Sequence, residues 1–341
     1  MNDMKIIVPM AGRGSRLRPQ TFITPKPLIH IAGKSILEQL LSDVIRLIND
    51  PIKEIIFIIG PPIIFDDSVV NLLKKLAEKF KTKAIITRQL KPLGTGDAVL
   101  CAKDYMKGNA FVIYPDTLVR FKGKFNSLSD VVIWTKKVKN PKSYGVVKLD
   151  SRDQVVDLVE HPQKFISDLA VIGIYYFKKI ELLKEQLELA LVSKKNESKE
   201  FYINEGILGL IGVGSLVAAA KVSSWLDCGD VQKAINANNK MLSFHLRDNV
   251  KLVSEKKKLI NTKIISPCYI GDNVYLKDSI IGPFVSVGNN TEIINSEISN
   301  SIIQTNSKIT NAKINSSMIG NYCRYDGNSN QINIGDHCEL T

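Results

Sequence analysis

Aliphatic residues recur every six positions near the carboxyl end of the chain, and this spacing restricts the possible fold more than any other feature. Small and polar residues separate them. The recurring residues are Ile264, Ile270 and Leu276, then Ile281, Val287 and Ile293, and then Ile303 and Ile309. A six-residue apolar period is typical of a parallel β-helix, in which each coil has three short faces and one aliphatic side chain per face points inward. Several steps shorten to five residues, so we expect imperfect coils; a set of ordinary short strands is the alternative.

The first part of the chain alternates strand patterns with helix patterns. The predicted strands are at residues 5–9, 54–59, 84–87 and 110–114, and the predicted helices at residues 35–49, 69–80 and 96–105. This alternation predicts an α/β fold, with a Rossmann-like, mostly parallel mixed sheet and helices on both faces. Four further strands are predicted at residues 131–136, 145–149, 155–159 and 171–177. We interpret them as an insertion, followed by a helix at residues 180–192.

A polar, lysine-rich stretch at residues 241–262 separates the two patterns, and we interpret it as a linker. The chain has 341 residues, enough for one large domain and one small one. We therefore predict a catalytic domain at residues 1–240 and a β-helix domain at residues 263–341.

Composition excludes several classes of protein. The formal net charge is +12, but the lysines are spread along the chain without aromatic-interleaved basic blocks, so we expect no nucleic-acid partner. A positive field would instead attract phosphorylated ligands. No apolar run is long enough to span a membrane and a strand pattern begins at once, so we expect neither a membrane partner nor a signal peptide. Five separated cysteines without a Cys-x-x-Cys pair favour reduced thiols in the cytoplasm and argue against a zinc site.

A glycine turn rich in arginine follows the first strand. The glycines lack a Cβ, so backbone N–H groups can approach a phosphate closely, and Arg13, Arg16 and Lys26 add positive charge. Pro25 and Pro27 restrict the backbone on both sides of Lys26. The stretch has neither the Gly-Lys-Ser/Thr ending of a P-loop nor the three-glycine spacing of a dinucleotide fold. It indicates a nucleoside triphosphate as the ligand; a turn with solvated arginines is the alternative.

This stretch resembles the signature of the sugar-1-phosphate nucleotidyltransferases. That family includes glucose-1-phosphate thymidylyl- and uridylyltransferases, mannose-1-phosphate guanylyltransferases and ADP-glucose pyrophosphorylases. The resemblance implies that the loop wraps the triphosphate and that the lysine contacts it. The implied nucleotide-binding residues are Ala11, Gly12, Arg13 and Gly14, and the implied catalytic residues are Arg16 and Lys26. The family also implies that the β-helix is left-handed.

A second stretch, at residues 89–98, is similar to the family's Gln-x-x-x-Leu-Gly-Thr-Gly-x-Ala pattern. The resemblance implies that Gln89 pairs with the edge of a pyrimidine base and that Gly94 and Thr95 pack against the base. An amide offers both a donor and an acceptor, which suits uracil or thymine. Guanylyltransferases of the family often have an acid at this position, so Gln89 favours UTP or dTTP. Asp97 stands where the family more often has histidine or glutamine.

Two aspartates more than 100 residues apart resemble the metal-binding positions of the family. Asp116 follows a buried strand after Pro115, where the family usually has glycine. Asp227 lies in Trp-Leu-Asp-Cys-Gly, which is similar to the family's Trp-x-Asp-x-Gly element. Mg²⁺ prefers oxygen ligands and keeps several waters, so two carboxylates suffice. We expect Asp116 and Asp227 to bind one Mg²⁺, with Asp116 also catalytic; a turn or cap role for each is the alternative.

Four residues match the sugar-binding positions of the family, namely Gly145, Glu160, His161 and Gly173. The resemblance implies that the Gly145 backbone meets a hydroxyl and that Glu160 accepts hydrogen bonds from the sugar. His161 replaces the usual lysine that holds the sugar phosphate, and histidine carries full charge only below its pKa. Val171 replaces a common asparagine.

These motifs together predict transfer of a nucleotidyl group from an NTP to a sugar 1-phosphate, with release of pyrophosphate. Glucose 1-phosphate is favoured because it is the commonest substrate of the family. The alternatives are a mannose-1-phosphate guanylyltransferase, a nucleotide-binding regulatory or structural homologue without turnover, and acyl transfer by the β-helix, where His337 is the sole histidine. We expect the β-helix to assemble subunits into a homo-oligomer.

Overall fold

A computed structural model describes residues 4–48, 50–126, 128–193, 200–327 and 329–340. The helices are α1 (Ile36–Leu47), α2 (Asp67–Lys79), α3 (Thr95–Leu100), α4 (Ile180–Ser193), α5 (Ile203–Gly212) and α6 (Val231–Arg247). Asn49, where the first helix is predicted to end, and Thr341, the end of the predicted β-helix domain, lie outside the described residues.

The strands fall into two series. Those before α6 are β1 (Met4–Pro9), β2 (His30–Ile31), β3 (Lys34–Ser35), β4 (Ile52–Ile59), β5 (Lys83–Arg88), β6 (Ala110–Ile113), β7 (Thr117–Arg120), β8 (Val131–Lys137), β9 (Val146–Leu149), β10 (Val155–Val159), β11 (Leu169–Phe177), β12 (Val217–Lys221) and β13 (Ser224–Asp227).

The strands after α6 are short. They are β14 (Lys257–Ile260), β15 (Lys263–Ile264), β16 (Cys268–Ile270), β17 (Val274–Lys277), β18 (Ile280–Ile281), β19 (Val285–Val287), β20 (Glu292–Ile294), β21 (Glu297–Ser299), β22 (Ile302–Ile303), β23 (Lys308–Thr310), β24 (Lys313–Asn315), β25 (Met318–Ile319), β26 (Arg324–Asp326), β27 (Asn333–Ile334) and β28 (Glu339–Leu340).

Internal contacts divide the chain into two compact units. Unit 1 comprises Met1–Gly12, Leu40–Pro115 and Val119–Trp225, and unit 2 comprises Arg13–Gln39, Asp116–Leu118 and Leu226–Thr341. Within the stretch predicted as a linker, α6 continues to Arg247 and β14 begins at Lys257. The division into functional domains at residues 1–240, 241–262 and 263–341 stays a prediction.

Among the described residues, unit 1 contains a nine-stranded mixed sheet whose main order is β10-β9-β11-β6-β1-β4-β5. β1 pairs in parallel with β4 and with β6, and β4 pairs in parallel with β5, so the carboxyl ends of these strands meet at one edge. β11 runs antiparallel to β6 and to β8. The four strands predicted as an insertion therefore extend the same sheet. The predicted mixed α/β class is confirmed.

Buried aliphatic and aromatic side chains explain why these segments are strands and helices. Ile6, Ile7 and Val8 of β1 are fully buried, as expected for a strand with helices on both faces. The apolar side chains of α4 and α5 that are buried, such as Leu183 and Ile207, belong to the same core cluster as Ile7. The sheet and these helices thus form one hydrophobic core.

Unit 2 contains the left-handed parallel β-helix, and the prediction of this fold is confirmed. Its strands stack in parallel into three sheets, with the orders β14-β17-β20-β23-β26-β28, β15-β18-β21-β24 and β16-β19-β22-β25-β27. One aliphatic position in each strand stacks on its counterpart in the next coil, as Leu276 does on Ile293 and then Ile309. These side chains are completely buried. The six-residue period therefore marks the inward side chain of each face.

A second core within unit 2 joins the β-helix to α6 and to the segment at residues 13–39. Ile302 and Met318 of the β-helix cluster with Met241 of α6 and with Leu17 and Ile31. The arginine-rich loop therefore belongs to the same compact body as the β-helix. No helix in the described part of the chain has the length and apolar character needed to cross a membrane.

Candidate functional site

The glycine-arginine loop in unit 2 folds back onto the lysine between the prolines. Gly14 has φ +61°, and a Cβ there would lie 2.9 Å from Cβ of Lys26, so glycine suits both the conformation and the close approach. The hydroxyl of Thr21 donates to the Gly14 carbonyl oxygen at 2.8 Å and closes the loop. Leu17 is buried and ties the loop to the core of unit 2.

The cationic residues of the loop differ in exposure. Arg13 and Arg16 are exposed, whereas Lys26 is buried next to Pro25 and Pro27. Nζ of Lys26 lies 3.6 Å from Oδ2 of Asp116. The loop thus combines two arginines open to solvent with one fixed lysine, which is a suitable arrangement for phosphate oxygens. Ala11 and Gly12 precede this loop and belong to unit 1.

Backbone pairing in unit 2 brings the two candidate metal ligands together. The N–H of Cys228 donates to the carbonyl oxygen of Asp116 at 3.1 Å, and the hydroxyl of Thr117 donates to the carbonyl oxygen of Leu226 at 3.0 Å. Asp116 and Asp227 therefore occupy neighbouring positions on adjacent segments. The side chain of Asp116 is 52% exposed, so its carboxylate is open to a ligand.

Asp227 is oriented by two hydrogen bonds. Its Oδ1 accepts from the N–H of Gly229 at 2.7 Å, and its Oδ2 accepts from Nζ of Lys233 at 2.8 Å. Lys233 also lies 3.6 Å from Oδ2 of Asp230, the N-cap of α6. Sequence reasoning missed Lys233. Its signal was its place in the first turn of the helix that begins at Val231, two residues after Gly229 at the end of the aspartate motif.

The charges of three candidate residues act on one buried thiol. Burial raises the pKa of Cys228 far above its usual value; Lys26 opposes this rise, and Asp116 and Asp227 add to it. Lys26 lies 3.6 Å from the carboxylate of Asp116, the backbone of Asp116 bonds to Cys228, and Asp227 precedes Cys228, so the lysine and the two acids belong to one small region of unit 2. The thiol itself stays protonated at neutral pH, which excludes it as a nucleophile.

The donor set of this region fits a divalent cation that needs few protein ligands. Within the described residues there is no group of three or more histidine, cysteine, aspartate or glutamate side chains that could hold a metal ion. Asp116 and Asp227 supply carboxylate oxygens, and Mg²⁺ takes one or two carboxylates together with phosphate oxygens and water. The residues present are therefore suitable for Mg²⁺ bound with substrate.

The candidate base-binding residues lie together in unit 1, after the carboxyl end of β5. Gln89 is buried, and its Nε2 donates to the carbonyl oxygen of Gly94 at 3.0 Å and to Oδ2 of Asp97 at 2.7 Å. Gly94 has φ +115°, and a Cβ there would lie 2.3 Å from the carbonyl oxygen of Phe201. The hydroxyl of Thr95 accepts from the N–H of Ile203 at 3.1 Å. The motif is thus held against the start of α5.

The candidate sugar-binding residues Gly145 and Glu160 are in contact in unit 1. A Cβ at Gly145 would lie 2.9 Å from Oε1 of Glu160, so only glycine leaves this carboxylate in place. Nδ2 of Asn204 donates to the same oxygen at 2.9 Å. Burial raises the pKa of Glu160, and His161 and the bond from Asn204 partly oppose the rise.

Asn204 is a candidate that sequence reasoning missed. It is 4% exposed and, within the described residues, its Oδ1 is buried without a hydrogen-bond partner. Because the carboxylate of Glu160 can only accept hydrogen bonds, the Asn204 atom that faces it must be Nδ2, and Oδ1 of Asn204 points away from Glu160. No single-residue pattern in the sequence marks Asn204, since its role depends on a partner 44 residues away.

The other two candidate sugar-binding residues, His161 and Gly173, make contacts of their own that do not involve Glu160. His161 is exposed with φ 45°, and its Nδ1 lies 3.3 Å from the carbonyl oxygen of Lys142. Gly173 has a carbonyl oxygen that accepts from the N–H of Tyr114 at 2.8 Å, at an irregularity in the pairing of β11 with β8. The hydroxyl of Tyr114 donates to the carbonyl oxygen of Thr95 at 3.2 Å, which connects Gly173 to the base-binding motif.

Comparison with known proteins decides the family. The family model described as nucleotidyl transferase matches residues 5–243. The chain belongs to the nucleotidyl transferase family. This result confirms the resemblance to sugar-1-phosphate nucleotidyltransferases that the sequence motifs indicate.

Several curated relatives of this nucleotidyl transferase are similar over most of its length. A glucose-1-phosphate thymidylyltransferase of Streptomyces antibioticus is 28% identical over 319 residues, which cover 86% of this chain and 85% of the relative. The bifunctional protein GlmU of Methanocaldococcus jannaschii is 32% identical over 270 residues, 77% of this chain but 60% of the relative. A mannose-1-phosphate guanylyltransferase catalytic subunit beta of Drosophila melanogaster is 28% identical over 215 residues, 59% of this chain and 57% of the relative.

Proposed function

We propose that this nucleotidyl transferase moves a nucleotidyl group from UTP or dTTP to a sugar 1-phosphate, preferably glucose 1-phosphate. The products are an NDP-sugar and pyrophosphate. The grouping of Lys26, Asp116 and Asp227 near Cys228 carries the proposal, because a buried lysine beside one acid, with a second acid on the adjacent segment, is suited to a reaction between two anions. The similarity to a glucose-1-phosphate thymidylyltransferase supports the choice of substrates.

The reaction requires positioning and neutralisation of charge rather than a covalent intermediate on the protein. A phosphate oxygen of the sugar 1-phosphate attacks the α-phosphorus of the nucleotide, a new P–O bond forms, and the bond to the β-phosphate breaks. Arg13, Arg16 and Lys26 bind the phosphates, and the backbone of Ala11, Gly12 and Gly14 approaches them. Arg16 and Lys26 stabilise the charge of the α-phosphate and of the leaving pyrophosphate.

Asp116 and Asp227 would hold Mg²⁺ in this proposal. When bound, the ion supplies positive charge to the phosphates of both substrates. Lys26 and Lys233 each lie beside one of the two carboxylates and limit their mutual repulsion. Removing either carboxylate would weaken metal binding, and removing Asp116 would also take away the carboxylate beside Lys26.

The residues of unit 1 bind the other parts of the substrates. Gln89, Gly94 and Thr95 bind the base, in line with the contacts that hold this motif in one conformation. Gly145 and Glu160 bind sugar hydroxyls, and the raised pKa of Glu160 reflects a carboxylate held away from water. His161 and Gly173 complete the proposed sugar-binding set, with His161 directed to the sugar phosphate.

A substrate matrix tests the proposed function. The full chain is incubated with Mg²⁺, each of UTP, dTTP, GTP, CTP and ATP, and several sugar 1-phosphates, and pyrophosphate is measured. We expect release with UTP or dTTP and glucose 1-phosphate. Nucleotide binding without pyrophosphate release for any pair would favour a regulatory or structural homologue instead.

The two acids give a sharper test. We expect Asp116→Asn and Asp227→Asn each to lower kcat by about a hundredfold or more, because each change removes a charge needed at the phosphates. Steady-state pyrophosphate release measures kcat, and circular dichroism checks that the fold is kept. Asp104→Asn is the control, since Asp104 is exposed and lies outside the proposed site. Turnover near that of the unchanged protein in either variant would remove the metal assignment.

A guanylyl donor is the second candidate. The similarity to a mannose-1-phosphate guanylyltransferase subunit supports it, although the alignment covers 59% of this chain. The same matrix separates the two candidates, since GTP with mannose 1-phosphate would then release pyrophosphate fastest.

We further propose a homo-oligomer in the cytoplasm without a nucleic-acid partner. The strands of the β-helix stack in parallel into three flat faces, and such faces favour pairing between copies. Cys101, Cys228, Cys268, Cys323 and Cys338 are free thiols, which suits a reducing compartment. Light scattering coupled to size-exclusion chromatography would measure the number of subunits, and a monomer at working concentration would contradict the oligomer.

A further inference from the structure

Both amide hydrogens of Gln89 are already engaged within unit 1. Nε2 donates to the carbonyl oxygen of Gly94 at 3.0 Å and to Oδ2 of Asp97 at 2.7 Å. A carboxylate can only accept hydrogen bonds, so the Gln89 atom that faces Asp97 must be the nitrogen. In the described part of the chain, Oε1 of Gln89 accepts no hydrogen bond. The side chain therefore offers an acceptor alone to a ligand.

The surroundings of Gln89 prevent its side-chain amide from rotating by 180°, which would exchange the positions of Oε1 and Nε2. The backbone N–H of Gln89 donates to the carbonyl oxygen of Ile59 at 2.9 Å, and the side chain is buried. The carbonyl of Gly94 is held because the N–H of Phe201 donates to the neighbouring carbonyl of Leu93 at 2.9 Å. A reversed amide would place Oε1 against two acceptors, which costs both hydrogen bonds and adds repulsion.

We propose that Asp97 is a positioning residue for base selection, and that it restricts the donor to nucleotides whose base presents a ring N–H to Gln89. The inference rests on the proposed function, because it takes Gln89 to face the base. Uracil and thymine carry N3–H and guanine carries N1–H, and each can donate to Oε1. Cytosine N3 and adenine N1 are acceptors, so their lone pairs would face those of Oε1 and repel them. The donor class is then UTP, dTTP and GTP, with CTP and ATP excluded.

This selection differs from the two-point pairing that an amide could make with an imide. The donor half of the Gln89 amide is used inside the protein, and Asp97 is the residue that uses it. Asp97, which stands where the family more often has histidine or glutamine, thus fixes the orientation of the Gln89 amide. It makes the glutamine act like the acid found at this position in guanylyltransferases of the family.

Titration calorimetry with the full chain and Mg²⁺ tests the inference, with UTP, dTTP, GTP, CTP and ATP as ligands. We expect the best of UTP, dTTP and GTP to bind at least about 100-fold more tightly than CTP or ATP. In Asp97→Ala the amide is released, and the ratio of UTP to CTP affinity should fall about tenfold or more. Asp97→Asn keeps an acceptor oxygen and should preserve most of the ratio, and the control Asp104→Ala should leave it unchanged.

The ratio of UTP to CTP affinity, measured within one protein, is insensitive to partial misfolding, since both nucleotides bind the same folded fraction. Equal affinity for UTP and CTP in the unchanged chain would overturn the inference, as would an unchanged ratio in Asp97→Ala. Pyrophosphate release with glucose 1-phosphate, measured alongside, separates this result from the proposed function. Selective binding without release would overturn the function alone, release with equal use of UTP and CTP would overturn the inference alone, and no binding of any nucleotide would overturn both.

Discussion

At the scale of single residues, each of three candidate side chains is held by a partner side chain that lies between six and 44 residues away in the sequence. Glu160 is held by Asn204, Asp227 by Lys233 and Gln89 by Asp97. Each partner determines which atoms remain for a ligand. The chemistry of the proposed site therefore depends on neighbours as much as on the residues that the motifs single out.

The raised pKa of Glu160 predicts a pH dependence of sugar binding. Glu160 accepts hydrogen bonds from hydroxyls most strongly when it is ionised. A raised pKa means that it protonates at a higher pH than an ordinary glutamate, whose pKa is about 4.3. As pH falls through the raised value, KM for the sugar 1-phosphate should rise. In Glu160→Gln this acidic limb should disappear, because the amide does not titrate.

Pyrophosphate release at several pH values measures KM for each protein. Glu188→Gln is the matched control, since Glu188 is exposed on α4, and it should keep the acidic limb. An identical limb in Glu160→Gln would show that another group causes the pH dependence.

At the scale of elements, asparagines stabilise the corners of the β-helix coils. Asn273, Asn290 and Asn306 have positive φ, and Nδ2 of each of the first two donates to Oδ1 of the next at 3.1 Å. Asparagine tolerates the left-handed region better than most residues, and the stacked amides pair from coil to coil. The abundance of asparagine therefore follows from the corners of the coils, which the six-residue apolar period by itself does not reveal.

Adjacent residues of β18 predict unequal effects on stability. Ile281 is fully buried in the β-helix core, whereas Ile280 is 40% exposed. Ile281→Ala should destabilise unit 2 by about 2–5 kcal/mol because it leaves a cavity, and the neighbouring control Ile280→Ala should cost clearly less. The midpoint of chemical unfolding measures both. Equal shifts would show that the inward face has been assigned wrongly.

At the scale of the whole molecule, the arginine-rich loop and the β-helix lie in one compact unit although they come from opposite ends of the chain. Gln20 is 3% exposed, and its Nε2 lies within hydrogen-bonding distance of the carbonyl oxygens of Met318 and Ile334, at 2.9 and 2.8 Å. Thr24 donates to Oδ2 of Asp336 at 2.7 Å. The β-helix thus supports the segment that carries the proposed phosphate-binding residues.

This support predicts a change in both stability and catalysis. Gln20→Ala should destabilise the protein by about 1–3 kcal/mol, because it removes the buried side-chain donor to the carbonyl oxygens of Met318 and Ile334. KM for the nucleotide should rise as well, since the loop loses an anchor. Thermal unfolding and nucleotide-dependent pyrophosphate release measure the two effects. Gln232→Ala, on the exposed face of α6, is the control and should change neither; an unaltered KM in Gln20→Ala would contradict a supporting role for the β-helix.

The positions of most strands and helices could be predicted because apolar periodicity directly reflects which face is buried. The predicted strand at residues 155–159 coincides with β10, and the predicted helix at residues 180–192 is within one residue of α4. The predicted helix at residues 96–105 is instead α3 followed by a short 3₁₀ turn at Lys103–Tyr105. Local pattern does not distinguish a continuous helix from a helix and a turn of similar composition.

The amino-acid sequence alone determined the fold class, the β-helix and the candidate motifs, because these depend on local spacing and on residue type. The tertiary structure decided which partners engage those motifs: Asp97 for the Gln89 amide, Asn204 for Glu160, and the β-helix for the loop that begins at Arg13. Packing rather than local pattern selects these contacts, whether the partners are eight residues apart, as Gln89 and Asp97 are, or 44, as Glu160 and Asn204 are. The same dependence on packing explains why the contacts of Lys233 and Asn204 were found only from the structure.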